Sequence, residues 1–148
     1  MSASAVRVGA YTQVNIETAS QGKLIVMLFN GAIKRAEEAK RQMEKGGTEN
    51  VHNNLIRAQD IVAELRGALN MNMGEIATNL DRIYEYFQHL LVVANIKKST
   101  QPIEECIVLM TQVRDMWKEL FDTLAREGQD GPASAVNPHG AAILNMQG

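Results

Sequence analysis

Aromatic side chains are scarce, at 5% of 148 residues, with a single tryptophan. What fills their place is aliphatic and flexible: eight methionines and many Ala, Leu, Glu, Lys, Gln and Arg. That balance leans helical. Cysteine is limited to Cys106, which excludes a disulfide framework and fits a reducing compartment. No apolar run reaches the roughly 18 residues of a membrane span. The opening "MSASAVRVGAYTQ" lacks the apolar core of a secretory signal, so the expected location is the cytoplasm. A large excess of one charge is also missing. The formal net charge is −2, and no polyanion partner, nucleic acid included, is implied by charge. What remains is ordinary for a globular protein: 45% hydrophobic and 22% charged residues. The length predicts one domain, and a chain of this size hides roughly 68–70% of its unfolded surface.

Four segments carry helical periodicity, at about 20–45, 48–69, 75–97 and 101–126. In the first, Leu24, Leu28, Ala32, Ala36, Ala39 and Met43 make a stripe at steps of three and four. Thr18 with Gln21 fits a capping box, Ser20 is a competing N-cap, and Gly46–Gly47 ends the segment. The second stripe is Val51, Leu55, Ala58, Val62, Leu65 and Leu69, followed by a turn at "NMNMG". The third is Ile76, Leu80, Ile83, Phe87, Leu90 and Ala94. After the polar "KKST", Pro102 suits the first turn of a fourth helix, whose stripe is Ile103, Cys106, Met110, Val113, Trp117, Leu120 and Leu124. Four such helices on short loops predict an all-α fold, an antiparallel four-helix bundle over residues 1–127. The tail 128–148, "GQDGPASAVNPHGAAILNMQG", is rich in Gly, Pro, Ala and Ser, and its composition predicts disorder. Its "AAILNM" stands as an alternative, a docking element.

Chemistry is hard to find. A di-metal site in a bundle needs two Glu-x-x-His pairs plus further carboxylates. Only Glu49 and His52 have that spacing; His89 follows Glu85 by four residues, and His139 lies in the tail. Cys106 sits on a core stripe, where a free thiol behaves as a small hydrophobe. "GGTEN" lacks the Lys-Ser/Thr of a phosphate loop. Lys34, Arg35, Lys40 and Arg41 are interleaved with Glu37, Glu38 and Glu44, the pattern of a solvated face. The expectation is a protein without catalytic residues, metal or cofactor.

Apolar surface is in surplus. The run Leu24–Phe29 passes round the whole helix axis at about 100° per residue. Ile25, Val26, Met27 and Phe29 therefore lie beyond the stripe expected for the first helix. Tyr84, Leu91, Val92 and Val93 do so on the third helix, and Val108, Leu109, Met116 and Phe121 on the fourth. Such extra faces are covered by terminal segments, by another subunit or by a partner.

One stretch carries more than periodicity. "AYTQVNIETASQGKLIVMLFNGAI" (Ala10–Ile33) resembles the opening signature of the bacterial flagellin-specific export chaperones (flagellar secretion chaperone S): an Ala-Tyr pair, a spacer, Thr-Ala-Ser-Pro, then a leucine-rich run into Met-Leu-Tyr-Asp-Gly-Ala-Ile. The resemblance continues through "LIRAQDIVAELRGALN", "LDRIYEYFQHLLVVANIKKS" and "VRDMWKEL", and covers about Ala10 to Leu124. Gln21, Phe29 and Asn30 depart from the pattern, standing where Pro, Tyr and Asp are usual.

The resemblance implies a small helical bundle with no enzymatic activity. Such a bundle binds the C-terminal segment of flagellin, prevents premature polymerisation and delivers it to the export gate of the flagellar secretion apparatus. An anti-sigma factor or a co-chaperone is a secondary partner. By motif position, Tyr11 and Ile16 belong to a short N-terminal segment that packs over the bundle. Ile25, Met27, Phe29 and Ile33 line flagellin-facing grooves or the cover site. Tyr84, Tyr86 and Asn95 supply polar handles or aromatic contact on the third helix, while Trp117 is expected in the core. The rival is a helical adaptor or regulatory protein that binds another flagellar partner.

Overall fold

The computed structural model describes residues 10–127, with side chains from residue 21 onward. Four helices make up the bundle: α1 (Ala10–Lys45), α2 (Thr48–Gly67), α3 (Glu75–Lys97) and α4 (Thr100–Glu127). The all-α bundle read from the sequence is what the chain forms. The tail 128–148, with its expected disorder, lies outside the described residues.

The three connections between helices are built from identifiable residues. Gly46 adopts φ +83. Its N–H donates to Met43 O at 3.1 Å, and the Gly47 N–H donates to Gln42 O at 2.9 Å. Two otherwise unpaired carbonyls are thereby satisfied at the C-terminus of α1. Between α2 and α3, the Asn70 side chain accepts from the Asn72 N–H, a single 3-10 turn spans Met71–Met73, and Gly74 takes φ +80. Lys98 closes α3 in the left-handed region. A side chain there costs about 1–2 kcal/mol relative to right-handed backbone. In partial return, its ammonium donates to the Asn95 carbonyl at 2.8 Å. The Ser99 hydroxyl then accepts from the Gln101 N–H at 3.4 Å as α4 begins. These connections are too short to cross the bundle, so consecutive helices run antiparallel. α1 packs against α2 and α4, and α3 packs against the same two from the other side.

The core of α2 is the stripe expected of it: Val51, Leu55, Ala58, Val62 and Leu65 are all buried, and Leu69, two residues past the end of the helix, is buried with them. The core of α1 is not. Its buried residues are Ile25, Phe29, Ala32, Ile33, Ala36 and Ala39, while Leu24 is 44% exposed. The stripe runs one residue later than expected at its start. In Leu24–Phe29 every position is apolar, so the pattern has no contrast from which to read a phase. Contacts with the flanking helices set it: Asn30 faces α4 and Arg35 faces α2, which leaves Phe29 and Ile33 pointing inward. The start of α1 also needs correcting. The helix continues back to Ala10, ahead of the expected caps at Thr18 and Ser20. Tyr11 and Ile16 thus fall in its opening turns, and their side chains lie outside the described residues.

An aromatic cluster ties three helices together. Phe29 of α1 meets Tyr84 of α3 edge-on, with centroids 5.8 Å apart. Tyr84 stacks on Phe87 and accepts a 2.8 Å hydrogen bond from Trp117 Nε1–H of α4. Trp117 stacks in turn on Phe121. Burial drives the Tyr84 phenol pKa up, so the hydroxyl stays neutral and the buried oxygen has its partner. Beside the cluster, Gly22 permits a close approach of α1 to α4: a Cβ there would lie 2.8 Å from the Phe121 ring.

Candidate functional site

The residues that raised catalytic possibilities are placed without one. Cys106 is buried, its Sγ directed at the Phe87 carbonyl at 3.7 Å, and burial pushes the thiol pKa up to about 12. Glu49 and His52 are exposed at the start of α2. No group of three or more His, Cys, Asp or Glu among the described residues is arranged to hold a metal ion. No helix among them is long and apolar enough to cross a membrane.

Ile25, Phe29 and Ile33, expected to line flagellin-facing grooves or the cover site, and Tyr84, expected as a polar handle or aromatic contact, are buried instead. All four belong to the bundle's own core, because the shifted phase of α1 and the Phe29–Tyr84–Trp117 contacts turn them inward. Met27 is different: at 66% exposed it stands on the outer face of α1. Tyr86 and Asn95 also remain at the surface, and they lie on opposite sides of α3.

Asn95 belongs to a polar ladder between α2 and α3. His52, Gln59 and Arg66 are spaced seven apart on α2, and Asp81, Gln88 and Asn95 seven apart on α3. The antiparallel register pairs them. Asn95 Nδ2–H donates to His52 Nδ1 at 2.9 Å, which places the proton of the neutral ring on Nε2. Gln88 Nε2–H donates to the Gln59 carbonyl at 3.3 Å. Arg66 grips Asp81 with two hydrogen bonds, at 2.8 and 3.0 Å, and gives a third to Gln88 Oε1. That grip holds the Asp81 carboxyl below its ordinary pKa. Between the first two rungs sit Ile56 and Val92, both more than a third exposed, and one turn beyond Val92 is Ile96 at 77% exposed. Three aliphatic side chains thus fall along one end of the α2/α3 seam.

Outside the buried Trp117–Tyr84 and Cys106–Phe87 contacts, the α3/α4 seam is crossed at its surface from Tyr86 O–H to Glu105 Oε2 at 2.6 Å. This bond raises the Tyr86 pKa. The Tyr86 ring also stacks on His89. Ile83 precedes Tyr86 by one turn, and Leu109 and Met116 follow Glu105 on the same side of α4 at helical spacing. Ile83 and Met116 are each 40% exposed. Leu109, Val113 and Leu120 are partly buried beneath them, against the core. The result is an apolar groove with a tyrosine hydroxyl at its edge. By contrast the α1/α4 seam is bridged by ions and amides, Lys40–Glu104 and Arg114–Asn30. The exposed Val108 there is surrounded by Glu37, Lys40, Arg41, Glu44 and Glu104.

Periodicity missed three of these surface residues. Periodicity puts Ile83 on the core stripe of its helix and does not single out Ile56 or Ile96. The available signal was the sevenfold spacing of polar residues on α2 and α3, which marks where that seam meets water.

The fold is a helical bundle with a complete core and exposed apolar side chains along two seams, and sequence comparison gives its family. The family model described as "Flagellar protein FliS" matches residues 3–124, and the chain belongs to that family. It is 38% identical over 114 residues to the flagellar secretion chaperone FliS of Bacillus subtilis, covering 77% of this chain and 85% of that one. The FliS of Salmonella typhimurium is 35% identical over 117 residues, covering 75% and 87%. FliSB of Pseudomonas aeruginosa is 35% identical over 112 residues, covering 72% and 89%. Each of these relatives is named a flagellar secretion chaperone, so this chain is a member of a flagellar export chaperone family.

Proposed function

We propose that the protein binds the C-terminal segment of flagellin, keeps it from polymerising early and presents it to the export gate of the flagellar secretion apparatus. The observation that carries this reading is that α3 is flanked on both sides by exposed apolar side chains: Ile83, Tyr86 and Met116 on one, Ile56, Val92 and Ile96 on the other. The core is already filled without them. A flexible segment that folds on binding gives up about 2–5 kcal/mol to ordering, so it needs a large contact area. Two grooves on one helix supply more area than one, and an amphipathic segment laid along each meets side chains at helical spacing. Asn95 and Tyr86 offer the two seams a side-chain amide and a hydroxyl as polar handles. Tyr11 and Ile16 are assigned to the cover that occupies part of this surface when flagellin is absent.

Co-purification tests the reading. Full-length flagellin is retained by the protein, whereas flagellin lacking its C-terminal segment is not; equal recovery of the two refutes tail binding. NMR titration with a peptide of that segment shifts the methyl signals of Ile83, Met116, Val92 and Ile96 ahead of those of Ile25 and Ile33.

A further inference from the structure

The tail beyond α4 carries an apolar stretch of its own. After Asp130 the chain has no Asp, Glu, Lys or Arg to its last residue, and Ala141–Met146 reads "AAILNM". The family match stops at residue 124, so this stretch is no part of the pattern shared with the relatives. A tail serving only to keep the protein in solution would carry more charge; this one has Asp130 as its one Asp, Glu, Lys or Arg and carries Ile143, Leu144 and Met146 beyond it.

We infer that Ala141–Met146 docks in the α3/α4 groove, over Ile83, Leu109 and Met116, when no partner occupies it. The reach of the connection selects this groove over the other. α4 ends at Glu127, and residues 128–140 join it to the apolar stretch. Thirteen residues of Gly-rich chain span about 20 Å root-mean-square. At 1.5 Å per residue, Met116 lies roughly 16 Å back along α4 from its end. In the antiparallel register set by Tyr86–Glu105, Ile83 lies roughly 28 Å back along the axis. Ile56 and Val92 sit near the far end of the bundle, roughly 40 Å away, which only a nearly stretched connection covers. Tethering then supplies a local concentration in the millimolar range, so weak apolar contacts suffice. The inference rests on the α3/α4 groove being a docking surface, and it makes the tail an internal competitor of the export substrate.

The test uses the full chain and no flagellin. Gln147→Cys gives one reactive thiol for a nitroxide label, because Cys106 is buried with its thiol pKa near 12. The label is expected to broaden the methyl signals of Ile83, Leu109 and Met116, and the added pair Ile143→Asp and Leu144→Asp is expected to restore them. Absence of broadening overturns the inference. So does broadening centred on Ile56, Val92 and Ile96, and so does broadening that needs label and observed nuclei on different molecules. In a second arm, a tail docked nine-tenths of the time weakens an added flagellin C-terminal peptide about tenfold. The Ile143→Asp, Leu144→Asp variant therefore binds that peptide about tenfold more tightly, and unchanged affinity refutes the competition. Broadening that persists while the peptide fails to bind supports the tail contact and counts against flagellin as the substrate.

Discussion

The two sides of α3 are built on different principles. Toward α2, three polar rungs repeat every seven residues and pin the register by directed hydrogen bonds. Toward α4, one exposed tyrosine–carboxylate bond accompanies a row of aliphatic side chains above the core. Hydrogen bonds demand fixed partners, so the first seam holds the bundle in one arrangement. Apolar contact is undirected, so under the proposed function the second seam exchanges one cover for another at little cost in specificity. A chaperone needs both: a scaffold that does not move, and a surface that accepts and releases a guest.

Substitutions that confuse core with groove should break this comparison most severely. Ile25→Asp places an unpaired carboxylate in the core and is expected to cost more than about 4 kcal/mol. Loss of the cooperative melt by circular dichroism checks it, and a variant that melts like the parent would return Ile25 to the groove. Phe29→Ala, which removes one ring of the aromatic cluster, is expected to cost about 3–5 kcal/mol. Ile83→Asp and Met116→Asp alter only exposed positions. Their expected stability change is within about 0.5 kcal/mol, while binding of the flagellin C-terminal peptide falls at least about tenfold by calorimetry. A large stability loss with no binding change would make the α3/α4 seam structural.

The ladder gives a smaller effect that depends on pH. Arg66→Gln breaks the grip on Asp81; the pair is almost a third exposed, so solvent limits the loss to about 1 kcal/mol. Asp81 has a folded pKa below its ordinary 3.8. The ion pair's contribution is therefore full well above that value and disappears as the pH falls through the lower folded one. Urea melts should show parent and variant apart at neutral pH and converging in acid; a gap that persists into acid would rule out the ion pair as its source. Smallest is Lys98→Gly, which relieves left-handed backbone at the turn below both seams. It is expected to raise stability by about 0.5–1 kcal/mol, net of glycine's greater freedom when unfolded.

Legibility in the sequence varied helix by helix. On α2, five apolar residues at steps of three and four stand out from a polar background, and all five are buried. On α1, contrast fails between Leu24 and Phe29, so Leu24 was taken for core and Phe29 for surface when the reverse holds. On α3, adjacent apolar pairs create the same ambiguity: Ile83 and Tyr84 exchange roles, since Tyr84 reaches Trp117 through its hydroxyl. Of the residues expected to contact a partner, Met27, Tyr86 and Asn95 are at the surface and Ile25, Phe29, Ile33 and Tyr84 are core. The motif could mark the stretches that matter to the family but not the direction in which each side chain points.

Local sequence was sufficient for the all-α class, the glycine and asparagine turns and the family, because these depend on propensity, capping and motif order along one chain. The tertiary structure alone decided which apolar residues stay outside, because a helix with apolar side chains on every face takes its phase from its neighbours. Asn30 against α4 and Arg35 against α2 turn Phe29 inward, and the pairing of α3 with α4 leaves Ile83 and Met116 to face solvent or a guest.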